Sequence, residues 1–244
     1  MIVKNNCALI LGANSDIGWA IAKKLDTKGY ELILAARNTE QLQSKLSTLD
    51  TRKVAAVPFD ALSFDGHASW FDNLPMSPNL VICVFGYLGD QKKAEVNWQE
   101  AKRIIDTNYT GAASILGIVA KSFAEKKEGT IVGISSVAGD RGRASNYYYG
   151  SAKAAFTAFL SGLRNALAKV NVHVLTVKPG FVATKMTAGM PLNPRLTSTP
   201  EQVADRVVSA IEKKNDEIYV GRIWWLVMLI IRSIPERIFK RLSL

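Results

Sequence analysis

Tyr149 and Lys153 stand four residues apart in Tyr149-Gly150-Ser151-Ala152-Lys153, a spacing that puts a phenol and an ammonium on one face of a helix. A free tyrosine titrates near ~10, so general acid/base work at neutral pH needs a field that stabilises the phenolate, and a neighbouring ammonium supplies one. Tyr147 and Tyr148 have no lysine four residues on. Taken alone, the pair also fits an ordinary surface contact.

A second stretch with chemical content is Gly12-Ala13-Asn14-Ser15-Asp16-Ile17-Gly18. Glycines let a backbone approach phosphates, and the unpaired N–H groups and positive dipole end of a following helix would hold a dinucleotide pyrophosphate. A plain turn is the alternative. Further on, Ala35-Ala36-Arg37-Asn38 offers no acid to grip a ribose 2′-hydroxyl, whereas Arg37 can pair with a 2′-phosphate. That favours NADP(H) and leaves NAD(H) open, with a solvated arginine at a strand end as the alternative.

Positioning these groups takes strands that alternate with helices. The apolar runs Cys7 to Leu11, Glu31 to Ala35, Val54 to Phe59, Leu80 to Phe85, Thr130 to Ser135, Val172 to Val177 and Glu217 to Val220 read as seven strands. Ile17, Ala20, Ile21 and Leu25 fall on one helical face between the first two. The pattern predicts a single α/β domain over residues 1–221, a doubly wound, mostly parallel seven-stranded Rossmann sheet with helices on both faces.

Composition agrees with one globular core: 244 residues, 48% hydrophobic and 21% charged. Cys7 and Cys83 lie in apolar runs with no metal-ligand spacing, which suggests a reducing cytoplasm and no metal site. Met1 to Leu11 lacks the layout of a cleaved signal peptide and runs directly into the first strand. The net charge of +10 fits an anionic surface or substrate as well as nucleic acid, and charge alone does not choose.

Residues 222–244 break the pattern. Nine apolar residues, Ile223 to Ile231, lie between Arg222 and Arg232 and lead into Arg237, Lys240 and Arg241. A spanning helix needs roughly 20 apolar residues, so this run is too short to cross a bilayer. It suits a membrane-interface segment, or else a final element packed on the core or on a partner subunit.

Further motifs complete a pattern. Ser136 ends the fifth apolar run thirteen residues before Tyr149; Asn108 stands in Asp106-Thr107-Asn108-Tyr109; Asp60 and Ala61 follow the third strand; and Pro179-Gly180-Phe181-Val182-Ala183-Thr184 follows the sixth. In this order, with the glycine turn and Tyr149-x-x-x-Lys153, they resemble the short-chain dehydrogenases/reductases over essentially the whole chain. The resemblance implies hydride transfer between NADP(H) and a ketone or alcohol. It implies that Ser136 and Tyr149 bind the substrate oxygen, that Lys153 lowers the tyrosine pKa and holds the nicotinamide ribose, and that Asn108 anchors a water feeding protons to Lys153. Asp60, Ala61 and Gly86 would face the cofactor, and Pro179, Gly180, Val182 and Thr184 would line its nicotinamide side. A homo-oligomer, dimer or tetramer, is implied as well, and a nucleic-acid partner is not.

Two positions depart from the family. Asp16 replaces its middle glycine, and Val84-Phe85-Gly86-Tyr87 replaces its Asn-Asn-Ala-Gly run. Together with Asp140-Arg141-Gly142-Arg143 and the closing Ile234-Pro235-Glu236-Arg237, these resemble the branch that reduces 2-keto sugars carried on decaprenyl phosphate. That resemblance implies a polyprenyl-phospho-pentose substrate, a flavin oxidase as partner, and peripheral contact with the cytoplasmic membrane face. Arg141 and Arg143 would contact the phosphodiester, or else belong to a solvated loop. Met186 to Pro200, rich in proline and glycine, reads as a lid or as a fixed loop. Two rivals remain: a reductase of another lipid ketone, such as a 3-ketoacyl chain or ketosphinganine, which would not need the two arginines, and a nucleotide-sensing regulator without catalysis. The intact Asn108, Ser136, Tyr149 and Lys153 argue against the regulator.

Overall fold

The structure is a computed structural model that describes residues 6–50 and 53–242. The expectation that folding begins at the first residues falls partly on 1–5, outside the described residues. From Asn6 onward the chain alternates strand and helix: β1 (Cys7–Leu11), α1 (Asp16–Asp26), β2 (Glu31–Ala36), α2 (Glu40–Leu46), β3 (Val54–Pro58), α3 (His67–Asp72) and β4 (Leu80–Cys83). Then follow α4 (Gln91–Val96), α5 (Trp98–Ile105), a π-turn (Asp106–Thr110), α6 (Gly111–Lys126), β5 (Gly129–Ile134) and α7 (Tyr147–Leu167). The last part comprises β6 (Val172–Pro179), β7 (Phe181–Val182), β8 (Thr197–Ser198), α8 (Pro200–Glu212), β9 (Glu217–Val220), α9 (Arg222–Ser233) and α10 (Glu236–Phe239).

Seven strands form one sheet in the order β3-β2-β1-β4-β5-β6-β9, every neighbouring pair parallel. Strands buried on both faces read as unbroken apolar runs, which is why β1, β4 and the middle of β2 were visible in the sequence. The β4 run was over-extended there: pairing stops at Cys83, and the backbone of Val84 and Phe85 turns aside to donate to the Leu11 carbonyl. Two apolar layers flank the sheet, one joining α1 and α8 to its first face and the other joining α6 and α7 to its second.

The strand order reverses between β1 and β4, and in open parallel sheets this switch point opens a crevice at the carboxyl ends of the strands. The residues singled out in the sequence gather along that end. Among the described residues no helix is long and apolar enough to cross a membrane. The tail is not a separate appendage: α9 packs Trp224 and Met228 against Val137, with Phe181, Leu196 and Tyr219 around them.

Candidate active site

The first half of the crevice is built from glycines and strand ends. Gly12 has φ +97°, and a Cβ there would lie 2.7 Å from the Phe85 nitrogen. A Cβ on Gly18 would lie 2.5 Å from the Gly12 carbonyl, so the turn admits no side chain at either position. Ser15 caps α1, donating to the Gly12 carbonyl at 2.8 Å and accepting from the Gly18 N–H at 3.0 Å. Asn14 bonds the Asn38 carbonyl at 2.6 Å and leaves its own Oδ1 buried without a partner.

Beside this turn opens a cleft of ≈ 360 Å³, lined by Gly12, Asn14, Ser15, Arg37, Asp60 and Ala61, with Gly86 at its inner end. The cleft therefore brings together the turn, the strand-end arginine and the Asp60-Ala61 pair. A glycine cradle and a helix N-terminus suit a pyrophosphate, and the orphan amide oxygen of Asn14 suits a ribose hydroxyl, so the chain fits a dinucleotide. Asp16, where the family has glycine, turns away from the turn and accepts the Lys185 N–H at 2.7 Å, linking α1 to the segment after β7.

The second half lies around a pocket of ≈ 150 Å³ that holds Ser136, Tyr149, Lys153, Pro179, Gly180 and Thr184 among its walls, along with Ile17, Gly86 and Val182. Ser136 follows β5 by two residues and Tyr149 lies in the first turn of α7, so the two meet where that helix starts, and the Ser136 hydroxyl bonds the phenol. Lys153 is buried, donates to the Ile134 carbonyl at 3.1 Å and sits 5.8 Å from the Tyr149 ring centre. Ser135 secures that turn of α7, donating to the Lys153 carbonyl at 3.0 Å.

Burial pushes the Tyr149 phenol up to about 12, against a smaller lowering by Ser136. It also pushes Lys153 down to about 8. The sequence expectation, a tyrosine lowered by Lys153, is reversed in this structure because desolvation penalises both charged forms. The phenol is therefore protonated at neutral pH.

Asn108 lies on the π-turn, fully buried. Its Oδ1 accepts from the Tyr87 N–H at 3.2 Å, and its Nδ2 donates to the Tyr87 and Ile104 carbonyls at 2.6 and 2.8 Å. Asn108 thereby fixes the Gly86-Tyr87 bend, and a Cβ on Gly86 would lie 2.9 Å from its Oδ1.

The two arginines of the next loop part company. Arg141 does not reach the pocket: its guanidinium donates to the carbonyls of Ile231, Arg232 and Ile234 at 3.1, 3.1 and 2.7 Å, pairs with Glu236 at 2.7 Å and stacks over Phe239. It caps the C-terminal end of α9, whose last carbonyls have no helical partner. Arg143 does line the pocket. Its Nη2 reaches only the Met228 sulfur at 3.4 Å, and its Nε is buried with no partner.

Asn146 and Trp224 escaped the sequence analysis as pocket residues, and the segment read as a lid or a fixed loop adds Met186 and Met190. Asn146, Met190 and Trp224 line the pocket, and Met186 lines both cavities. Behind the pocket, Asp140 joins Lys178 at 2.9 Å and the Tyr219 hydroxyl at 2.7 Å, tying the Ser136 loop to β6 and β9. For Trp224 a signal existed: with Met228 and Ile231 it falls at offsets 0, 4 and 7, one helical face.

A family model described as short chain dehydrogenase matches residues 6–194. The chain belongs to the short-chain dehydrogenase family. It is 36% identical over 240 residues to an uncharacterized oxidoreductase of Streptomyces coelicolor, covering 96% of this chain and 94% of that one. It is 34% identical to an uncharacterized oxidoreductase of Mycobacterium tuberculosis, covering 96% of each. Among solved structures, a short chain dehydrogenase from Burkholderia cenocepacia in complex with NADP superposes with a TM-score of 0.85 at 21% identity, covering 100% of both chains. A short-chain dehydrogenase from Sphingobium yanoikuyae in complex with NADPH gives 0.79 at 20% identity, covering 95% of this chain and 97% of that one. These likenesses extend through β9 and the tail, and the chain is an oxidoreductase of this family with its Rossmann fold.

Proposed function

We propose that this oxidoreductase uses NADPH to reduce the 2-keto group of a polyprenyl-phospho-pentose at a membrane surface. The observation that carries the reading is Arg143, a guanidinium inside the pocket that holds Tyr149, with a buried Nε lacking a partner. Arg143 is half-buried, and Asp140, the carboxylate that acts on it, is already joined to Lys178, so a phosphodiester on the substrate would complete the guanidinium with charge-assisted hydrogen bonds.

The cofactor supplies the hydride when bound. Arg37, with no carboxylate beside it at the end of β2, supports a preference for the 2′-phosphate of NADP(H) over NAD(H). Gly12, Asn14, Ser15 and Gly18 would hold the pyrophosphate. Asp60 and Ala61 would face the adenine, and Pro179 to Thr184 the nicotinamide. Tyr149, kept protonated by burial, would donate its proton to the carbonyl oxygen, and Ser136 would hydrogen-bond the same oxygen. Lys153 would then return a proton to Tyr149, and Asn108 would keep Gly86 clear of the ammonium.

The lipid part of the substrate finds support in α9. Ile223, Trp225, Leu226, Leu229 and Ile230 are each about half exposed, next to Arg232, Arg237, Lys240 and Arg241, the combination found in helices lying on anionic membranes. A 2-ketone requires a prior oxidation of the secondary alcohol, a task for a flavin oxidase partner. A homo-oligomer formed through α6 and α7 belongs to the same reading.

The test compares NADPH oxidation on a polyprenyl-phospho-2-keto-pentose with that on an uncharged keto sugar. Arg143→Leu is expected to lower kcat/KM on the lipid phosphate by roughly 30-fold, the worth of one charge-assisted contact, and to leave the uncharged ketone unaffected. Equal losses on both would reject a phosphate contact.

A further inference from the structure

Helix α9 has two occupied roles on one short element. Its inner face is a wall of the substrate pocket: Trp224 is buried, meets Phe181 edge-on at 5.3 Å and donates from its indole to the Leu196 carbonyl at 2.9 Å. Leu196 opens the return of the segment that leaves the pocket after Thr184, so the indole pins the far end of that segment. The fit is close, because a Cβ on Gly180 would lie 1.9 Å from the indole nitrogen.

The C-terminal end of the same helix is held by Arg141, from the loop that joins Ser136 to Tyr149. Between these two attachments Met228 meets Arg143. Three contacts therefore join α9 to both loops that frame the substrate. Its outer face, by contrast, is an unbroken apolar surface open to solvent, larger than scattered apolar residues would give. From 223 to 242 the only acid is Glu236, which is already paired with Arg141, against four basic residues, Arg232, Arg237, Lys240 and Arg241, all exposed.

We infer that docking of this outer face on an anionic bilayer regulates the substrate pocket. The inference rests on the membrane reading above and adds to it that the bilayer acts as an effector. A surface that binds one placement of α9 better than others favours that placement by its differential affinity. Whatever holds α9 also holds Leu196 and the Arg141–Arg143 loop, because both hang on its inner side. The bilayer is the occupant the patch fits: its basic flank complements anionic headgroups and its tryptophan suits the interfacial layer.

The experiment uses the full chain, a water-soluble ketone that it reduces, and vesicles of phosphatidylglycerol or of phosphatidylcholine alone. Phosphatidylglycerol vesicles are expected to co-sediment with the protein and to raise kcat/KM on the soluble ketone by about threefold or more, the size of a modest allosteric coupling. Phosphatidylcholine is expected to do neither. Leu226→Ser with Ile230→Ser, both on the exposed face, should abolish binding and activation while basal turnover stays unchanged. Arg141→Gln should still bind vesicles and lose the activation. Binding without any activation overturns the coupling and leaves the membrane reading standing. No binding to either vesicle overturns both. Full activation in Arg141→Gln overturns the Arg141 connection.

Discussion

The two halves of the crevice are made in different ways. The cofactor half is framed by β1, β2 and β4 and by backbone bends within a few residues of their ends; its demands are glycines at Gly12, Gly18 and Gly86 and a cap at Ser15. The substrate half is assembled from segments 136–149, 180–198 and 222–239, which meet through side chains ninety residues apart in sequence, such as Arg141 on Ile231. One half is fixed by covalent neighbours and the other by packing. A cofactor shared across a family can be served by the first, and a particular substrate by the second.

The largest expected break falls on the junction of the halves. Tyr149→Phe should lower kcat by about 10³ or more, within the range for loss of a general acid, with NADPH affinity measured by fluorescence titration unchanged. A variant that kept full turnover would remove Tyr149 from the chemistry.

Next comes a change at Gly180, where the nicotinamide side meets the wall of the substrate half. Gly180→Ala puts a methyl where the Trp224 indole now sits, so α9 must shift. A loss of about 1–3 kcal/mol in denaturant unfolding is expected for such overpacking, with substrate KM raised and NADPH binding retained. Loss of NADPH binding in proportion would show that the halves are not separable.

Lys153 offers a contrast between stability and activity. Its folded pKa of about 8 lies below the ordinary lysine value, so between about pH 8 and 10 the unfolded chain binds more protons and stability rises with pH. Below pH 8 the full penalty stands. Lys153→Met should therefore stabilise the fold at pH 7 by up to ~3 kcal/mol, the free energy of that shift, and flatten the rise in Tm between pH 8 and 10. Turnover should vanish.

The smallest expected effect is confined to the cofactor half. Arg37→Ala should raise the KM for NADPH roughly tenfold, one charge-assisted contact, and leave the KM for NADH as it was.

The same contrast explains what could be read from the sequence. Strand runs, the glycine turn and the Ser136–Tyr149 interval depend on residues close in sequence and on periodicity, so fold and catalytic group were visible. Arg141 and Arg143, two positions apart, looked equivalent. Their difference comes from which of them faces the end of α9, a contact with no local trace. The apolar run 223–231 was read as either interfacial or packed, whereas its residues divide: Trp224 and Met228 turn inward while Trp225 and Leu229 turn outward. The tyrosine pKa was misjudged for a related reason, since burial of the whole pocket outweighs one charged neighbour.

Trp224 and Met228 also have a place in time. Synthesis runs from the N-terminus, and domains fold as the chain emerges. The glycine turn, Arg37 and the Asp60-Ala61 pair are made before β5 begins, whereas Met186, which lines both cavities, and the Trp224 indole follow α7. A chain cut after Gly221 would keep the glycine turn and lack the indole that walls the pocket, so α9 is the last of the pocket's walls to be made.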